Sequence, residues 1–352
     1  MTTTAPDPHD APPSPEAVPD LPVLRALGDR RSIRYFDPER TVERWKIETM
    51  LQAARFASCQ GNINCTEAIV LRQETSPLWE ELEECVSGFN VQIINQASHL
   101  ILWVTNLNAW YGRAVDGISA ISLAGGSAKY HGWNYEFTMT QTLPRLMSFP
   151  TGRTEMLLRF ETGQAVANAI TAGTGVGVGS ILIAFGRRPG GVEKALGLPP
   201  HYRFTWGHAV GYPLEDPRAG GQRPRLRMEA LFHEDEWGRP FRSDPRTVEL
   251  LRAKGLIQEQ GPLPGRFEEM GAIAERFGRD PGVLFFPARE IRRLLGDEDW
   301  DLQPALRARA EEVLAGEDLP DYPEEMRETF RRLMAEHGID ARKFLPAEED
   351  GT

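Results

Sequence analysis

Apolar positions along this chain change period several times, and each change marks an element. Over 41–57, Val42, Trp45, Ile47, Met50, Leu51, Ala54 and Phe56 recur at helical steps, which predicts a helix with one buried face. Ala68-Ile69-Val70-Leu71 reads as a short buried strand, and a helix carrying Leu78, Leu82 and Val86 follows. His99 to Thr105 is apolar almost throughout, which predicts a strand covered on both faces. Residues 160–175 read as a buried helix, with further strands at Ser180–Phe185 and Phe204–Val210.

Between these, residues 106–158 sustain no period. They hold Gly125, Gly126, Gly132, Pro144 and Pro150, with aromatics at Trp110, Tyr111, Trp133, Tyr135 and Phe137. Such a stretch reads as poor in regular elements and suits a lid. From Pro240 the pattern changes again. Helical blocks at 245–254, 266–277, 288–295, 303–315 and 323–337 each stop at a glycine, the residue that supplies a left-handed cap. At the other end, residues 1–20 hold six prolines, four acids and no Lys or Arg. That composition predicts a disordered tail, with order beginning near Leu21. Three parts follow: a tail over 1–20, a body over 21–239 and a helical extension over 240–352.

Composition narrows the classes. The 352 residues carry 40 Lys and Arg against 51 Asp and Glu, a net charge of −11, with 41% hydrophobic residues. This is the profile of an ordinary soluble globular protein, and its acidity argues against nucleic-acid or anionic-membrane partners. The acidity is uneven: the body holds 23 basic against 22 acidic residues, so the negative charge sits in the tail and the extension. Three cysteines, Cys59, Cys65 and Cys85, are too few for a disulfide scaffold or a four-cysteine zinc site. With no secretory leader pattern at the start, a cytoplasmic location is expected. The uncharged stretches within 85–112 and 162–186 are broken by amides and glycines, so both read as core elements and not as spans of ~20 apolar residues.

Four motifs carry candidate chemistry. Arg30-Arg31-Ser32-Ile33-Arg34 sets guanidinium groups around a hydroxyl, a donor set for an anion such as phosphate. A solvated basic patch is the plain alternative. Ala57–Asn64, ASCQGNIN, is a small polar loop between a helix and a strand, where amides could meet a heterocycle edge. It could equally be an ordinary turn, with Cys59 a small packed thiol that has no neighbouring base. The glycine run in 173–180 resembles a dinucleotide fingerprint but fails its spacing and follows a helix where a strand is required. It reads as a turn where backbones pack closely. Arg223, Arg225 and Arg227 alternate, which puts three cations on one face of an extended segment. Asp297-x-Asp299-x-Asp301 lacks the glycine and closing glutamate of a calcium loop, and no metal site is expected.

The order of these segments resembles the FMN-dependent nitroreductase superfamily. The segments are RRSIRYF at 30–36, ASCQGNIN at 57–64, ASHLILWV at 97–104, ANAITAGTGVGVGSILIAF at 167–185, GYPLEDP at 211–217 and RPRLRMEALFHEDEW at 223–237. The resemblance spans about 21–239 and implies an α+β fold, a mixed sheet flanked by helices, in a homodimer with two flavin sites at its interface. It implies that Arg30, Arg31, Ser32 and Arg34 hold the FMN phosphate and pyrimidine edge, and that Arg223 and Arg225 are the late phosphate-binding residues. A PS-x-x-N-x-Q-P motif falls on 58–65, with Asn62 as its Asn. Ser58, Cys59, Asn64 and Cys65 stand where that motif has Pro, Ser, Gln and Pro. Cys59, Asn62 and Asn64 are therefore expected at the flavin, and the backbone at Ala184 and Phe185 near its N5.

The implied activity is hydride transfer from NAD(P)H to flavin and then to a planar nitro-aromatic or quinone-like acceptor, by a ping-pong scheme with no dedicated catalytic base. Trp133, Tyr135 and Phe137 are candidate lid residues stacking on the substrate, with plain core aromatics as the alternative. The unusual 106–158 segment leaves reductive dehalogenation or oxidative dehydrogenation open. The altered 58–65 loop leaves open a flavin-binding scaffold whose extension recruits a partner.

Overall fold

A computed structural model describes residues 21–86, 88, 90–126, 134–278, 288–316 and 324–340. The tail expected over 1–20 and the lid candidate Trp133 lie outside the described residues. Two compact units emerge. The first runs up to Gln222 and takes in Asp244–Glu259 and Leu263–Arg276; the second comprises Arg223–Ser243, Gln260–Pro262 and the residues from Phe277 onward.

The first unit is built on a four-stranded sheet. Its strands are β1 (Thr66–Arg72), β2 (His99–Asn106), β3 (Gly179–Ile183) and β4 (Tyr202–Gly211), in the order β1-β2-β4-β3. Every neighbouring pair is antiparallel. A parallel element enters through a bridge between Ser32 and Ser180. β2 is buried at all eight positions, as the apolar run Leu100–Val104 requires, and the polar His99, Thr105 and Asn106 at its ends are buried with hydrogen-bond partners. Its side chains alternate between two cores. Leu100 and Leu102 pack with Trp79, Leu82, Ile93 and Ile94 on one face. Ile101 and Trp103 pack on the other face with α2 (Arg44–Arg55), through Ile47, Met50 and Ala54. There they also meet the long helix Thr151–Gly175, through Ala165, Val166 and Ala169. Helices on both faces of an antiparallel sheet give the expected α+β class. Trp45, in this helix, and Phe56, the residue that caps its end, depart from the expected face and are 56% and 75% exposed.

The 106–158 stretch is more regular than its pattern suggests. Ala109–Gly112, Ala114–Leu123, Tyr135–Phe137 and Leu143–Met147 are helical, and a π-helical turn covers Thr138–Thr142. Each piece is too short to show a period in an 11–18-residue window. Together they make a third small core of Ile63, Cys65, Trp110, Ala114, Ile118, Leu143 and Leu158. The glycine run ends the long helix, turns at Gly177 (φ 74°) and opens β3. A Cβ on Gly179 would lie 2.8 Å from the Pro213 ring and 3.0 Å from the Ile33 side chain, so the close approach there is of backbone to side chains, where one between two backbones was expected.

In the second unit, Arg225–Leu226 pairs antiparallel with Trp300–Asp301. Gln260 and Gln303 exchange backbone-to-side-chain hydrogen bonds of 2.9 Å in both directions. Helices Ala288–Gly296, Pro304–Gly316 and Glu324–Glu336 complete its described part. Among the described residues, no helix is long and apolar enough to cross a membrane.

Candidate active site

α2 ends at Arg55, and the chain passes through a 3-10 turn, Gln60–Asn62, before β1. Three residues here sit in the left-handed region: Gly61 (φ 60°), Asn62 (φ 55°) and Asn64 (φ 51°). Asn tolerates that conformation better than other side-chain-bearing residues, which accounts for the residue types. The loop is held from three sides. Glu161, on the long helix, accepts the Gln60 N–H at 2.9 Å and lies 3.4 Å from the Cys65 thiol. Arg113 donates to the Asn64 carbonyl at 2.6 Å and pairs with Glu67 at 2.8 Å. Gly117 presses against the turn so closely that a Cβ would lie 2.4 Å from the Gly61 carbonyl oxygen. Asn64 Nδ2 closes the turn on the Asn62 carbonyl at 2.7 Å.

This loop forms one wall of a pocket of about 600 Å³, inside the range of small-molecule and cofactor sites. Cys59, Asn62 and Asn64 all line it, together with Trp103, Arg113 and Glu161. Burial pushes the Glu161 carboxyl above the usual range, against the Gln60 N–H that favours its charge. Burial, with Glu161 beside it, pushes the Cys65 thiol up to about 12, so Cys65 is an inert packed group. Sequence reasoning missed both Glu161 and Arg113. For Glu161 a signal existed: it is the only charged residue in 160–186.

The Arg30–Arg34 segment is extended against the sheet edge. Ile33 N–H donates to Ser180 O at 3.1 Å, and Ile33 and Phe36 are buried beneath it. Arg34, between them, is exposed, and its Nη1 donates to Ser32 O at 3.1 Å. Arg31 is 7% exposed and turns inward, donating to Gly221 O at 3.0 Å and Gln258 Oε1 at 2.8 Å, and also to the carbonyls of Gly28 and Arg30. Its guanidinium thus serves the fold, in contrast to the anion-binding role expected of it. Arg30 and Ser32 are half-buried.

Other expected site residues lie elsewhere. Ala184 is exposed just past β3, and Phe185 packs edge-on against Phe204 at 5.3 Å. Arg223, Arg225 and Arg227, in the second unit, are all exposed, as the alternation predicted. Tyr135 and Phe137 are 53% and 45% exposed on a short helix capped by Asn134. The pocket wall includes neither of them, nor any of Arg30–Arg34.

An antiparallel sheet sandwiched by helices, with a polar loop lining a pocket beside its edge strand, defines the α+β fold class of this chain. The chain belongs to the Nitroreductase family, whose model matches residues 27–212. Solved structures repeat the fold. A Nitroreductase Family Protein from Streptococcus pneumoniae is 18% identical, with TM-score 0.50 over 60% of this chain and 98% of its own. A candidate NAD(P)H:FMN oxidoreductase from Staphylococcus epidermidis is 13% identical, with TM-score 0.52 over 60% of this chain and 95% of its own. A candidate nitroreductase from Exiguobacterium sibiricum, solved in complex with FMN, is 14% identical, with TM-score 0.50 over 60% and 97%. No curated protein matches this chain.

Proposed function

We propose that this protein is an FMN-dependent oxidoreductase that uses NAD(P)H to reduce a planar aromatic acceptor of the nitro or quinone class. The observation that carries the reading is the pocket of about 600 Å³ walled by the 57–65 loop, in a chain of the Nitroreductase family. The donor types fit the cofactor: amides at Asn62 and Asn64 suit a heterocycle edge, and the exposed Arg34 beside Ser32 suits a phosphate. When bound, FMN would supply the hydride transfer between NAD(P)H and acceptor.

In this reading Asn62, Asn64 and Cys59 face the ring, and Arg30, Ser32 and Arg34 hold the phosphate, with Arg223 and Arg225 as a second basic set. Arg31 instead anchors the segment from inside. Glu215 occupies the backbone N–H groups of Arg34 and Tyr35, which leaves phosphate binding to side chains. The pocket wall does not include Arg30–Arg34, which fits a homodimer in which the partner completes each site; in this reading the dimer is cytoplasmic.

The test is the absorbance spectrum of the purified protein, followed by anaerobic NADH and NADPH titrations. A yellow protein bleached by either nucleotide is expected. A colourless preparation that takes up no added FMN sinks the proposal. The double variant Arg34→Ala/Arg225→Ala should release FMN; full retention would mean the phosphate is held elsewhere.

A further inference from the structure

Residues Asp244–Glu259 and Leu263–Arg276 lie beyond the 27–212 stretch shared with the family, yet they belong to the first compact unit. They are stitched to the Arg30–Tyr35 segment on both of its flanks. On the amino-terminal flank, Gln258 accepts from Arg31 at 2.8 Å and donates to Asp29 Oδ1 at 2.6 Å. The backbones meet there so closely that a Cβ on Gly28 would lie 1.8 Å from the Gly255 carbonyl oxygen. On the other flank, one oxygen of Glu215 accepts the N–H groups of Arg34 (2.6 Å) and Tyr35 (3.2 Å). Its other oxygen pairs with Arg266 at 2.5 Å. Arg266 also pairs with Glu269 at 2.8 Å, and Glu269 accepts the Asp216 N–H.

The Glu215 side chain is only 1% exposed and that of Arg266 13%. A carboxylate so enclosed needs its cation, because an unpaired buried charge is costly. Its location adds a second consequence. Glu215 is bonded to the amide of Arg34 itself, so without Arg266 it would set an uncompensated negative charge beside an anion-binding arginine.

We infer that the stretches Asp244–Glu259 and Leu263–Arg276 position Arg30–Tyr35 for phosphate, with Gln258 and Arg266 as the positioning residues. This rests on the FMN reading only for the identity of the anion. Arg266 acts through Glu215: it fixes two backbone amides of the segment and neutralises the charge beneath it. Gln258 acts through Arg31, fixing the segment's entry from the helix Pro22–Asp29.

The experiment compares full-length wild type, Arg266→Met, Arg266→Lys and Gln258→Leu. FMN and riboflavin affinities are read by fluorescence quenching, and amide exchange over 30–37 is read without flavin. Arg266→Met should weaken FMN about tenfold, the equivalent of one charge-assisted hydrogen bond, and leave riboflavin, which lacks the phosphate, unchanged. Exchange at Arg34 and Tyr35 should accelerate, and Arg266→Lys should recover part of both effects. Gln258→Leu leaves the Glu215–Arg266 pair intact and keeps Arg31 bonded to the carbonyls of Gly221, Gly28 and Arg30; it carries the same comparison if Arg266→Met fails to fold. Parallel losses for FMN and riboflavin would indicate general destabilisation and overturn the inference, as would unchanged exchange. If wild type binds neither flavin, the FMN reading fails on its own. The exchange arm then decides the positioning role, upheld by acceleration in the variants and overturned by its absence.

Discussion

His208 offers a sharp test of the packing at the sheet centre. The ring is wholly enclosed on β4, stacked on Trp103 with centroids 6.4 Å apart. Trp103 Nε1 donates to its Nδ1 at 3.5 Å, which leaves the imidazole proton on Nε2, where no partner stands. Burial pulls its pKa down from 6.5 to about 3. The unfolded imidazole takes up a proton below about pH 6.5, while the folded one stays neutral until about pH 3. Stability therefore falls as pH drops through that window, by roughly 1.4 kcal/mol per unit. At pH 4.5 the loss reaches roughly 3 kcal/mol, a large share of a typical domain stability of about 5–15 kcal/mol.

His208→Phe keeps a ring against Trp103 and removes the titration. Urea unfolding of both proteins at pH 7.5 and pH 4.5 isolates the effect, because the other titrating groups are shared. The stability difference should swing by roughly 3 kcal/mol toward the variant at the lower pH. If the two proteins lose stability in parallel, the buried imidazole is protonating in the folded state and the account of the core is wrong.

Two further outcomes follow from the pocket. Burial raises the Glu161 pKa, so its contribution is fully present below the unfolded value and is lost as pH rises through the folded one. Glu161→Gln, whose amide oxygen can still accept from Gln60, should therefore raise the melting temperature more at pH 8 than at pH 5. An equal shift at both would refute the assignment. Gly117→Ala would force a methyl into the Gly61 and Asn62 carbonyls, at 2.4 and 2.7 Å. Overpacking of this kind costs about 1–3 kcal/mol, and it should displace the loop and weaken flavin binding. Unaltered affinity and unfolding midpoint would show that the loop has slack.

Much of the architecture was legible because it rests on local pattern. The apolar run Leu100–Val104 of β2 could only be a strand covered on both faces, and the glycine stops of the later helices mark their ends closely. The 106–158 region was not legible, since its helices are shorter than any window that shows a period. The site divided along the same line. Asn62 and Asn64 were readable as residue types that a tight polar loop needs. Glu161 reaches the pocket from the long helix and Arg113 from the turn between Ala109–Gly112 and Ala114–Leu123, both distant in sequence, and only folding brings them there.

The order of RRSIRYF, ASCQGNIN and the later segments was enough to suggest the family that the match over 27–212 shows, even though the 58–65 loop departs from the family motif at four positions. Tertiary structure alone decided that Arg31 faces inward, because that depends on Gly221 and Gln258 arriving from 190 and 227 residues away. It likewise decided that part of the helical extension belongs to the catalytic body. Helix ends and strand runs are written in neighbouring residues, whereas a buried ion pair such as Glu215–Arg266 exists only once two distant segments exclude water together.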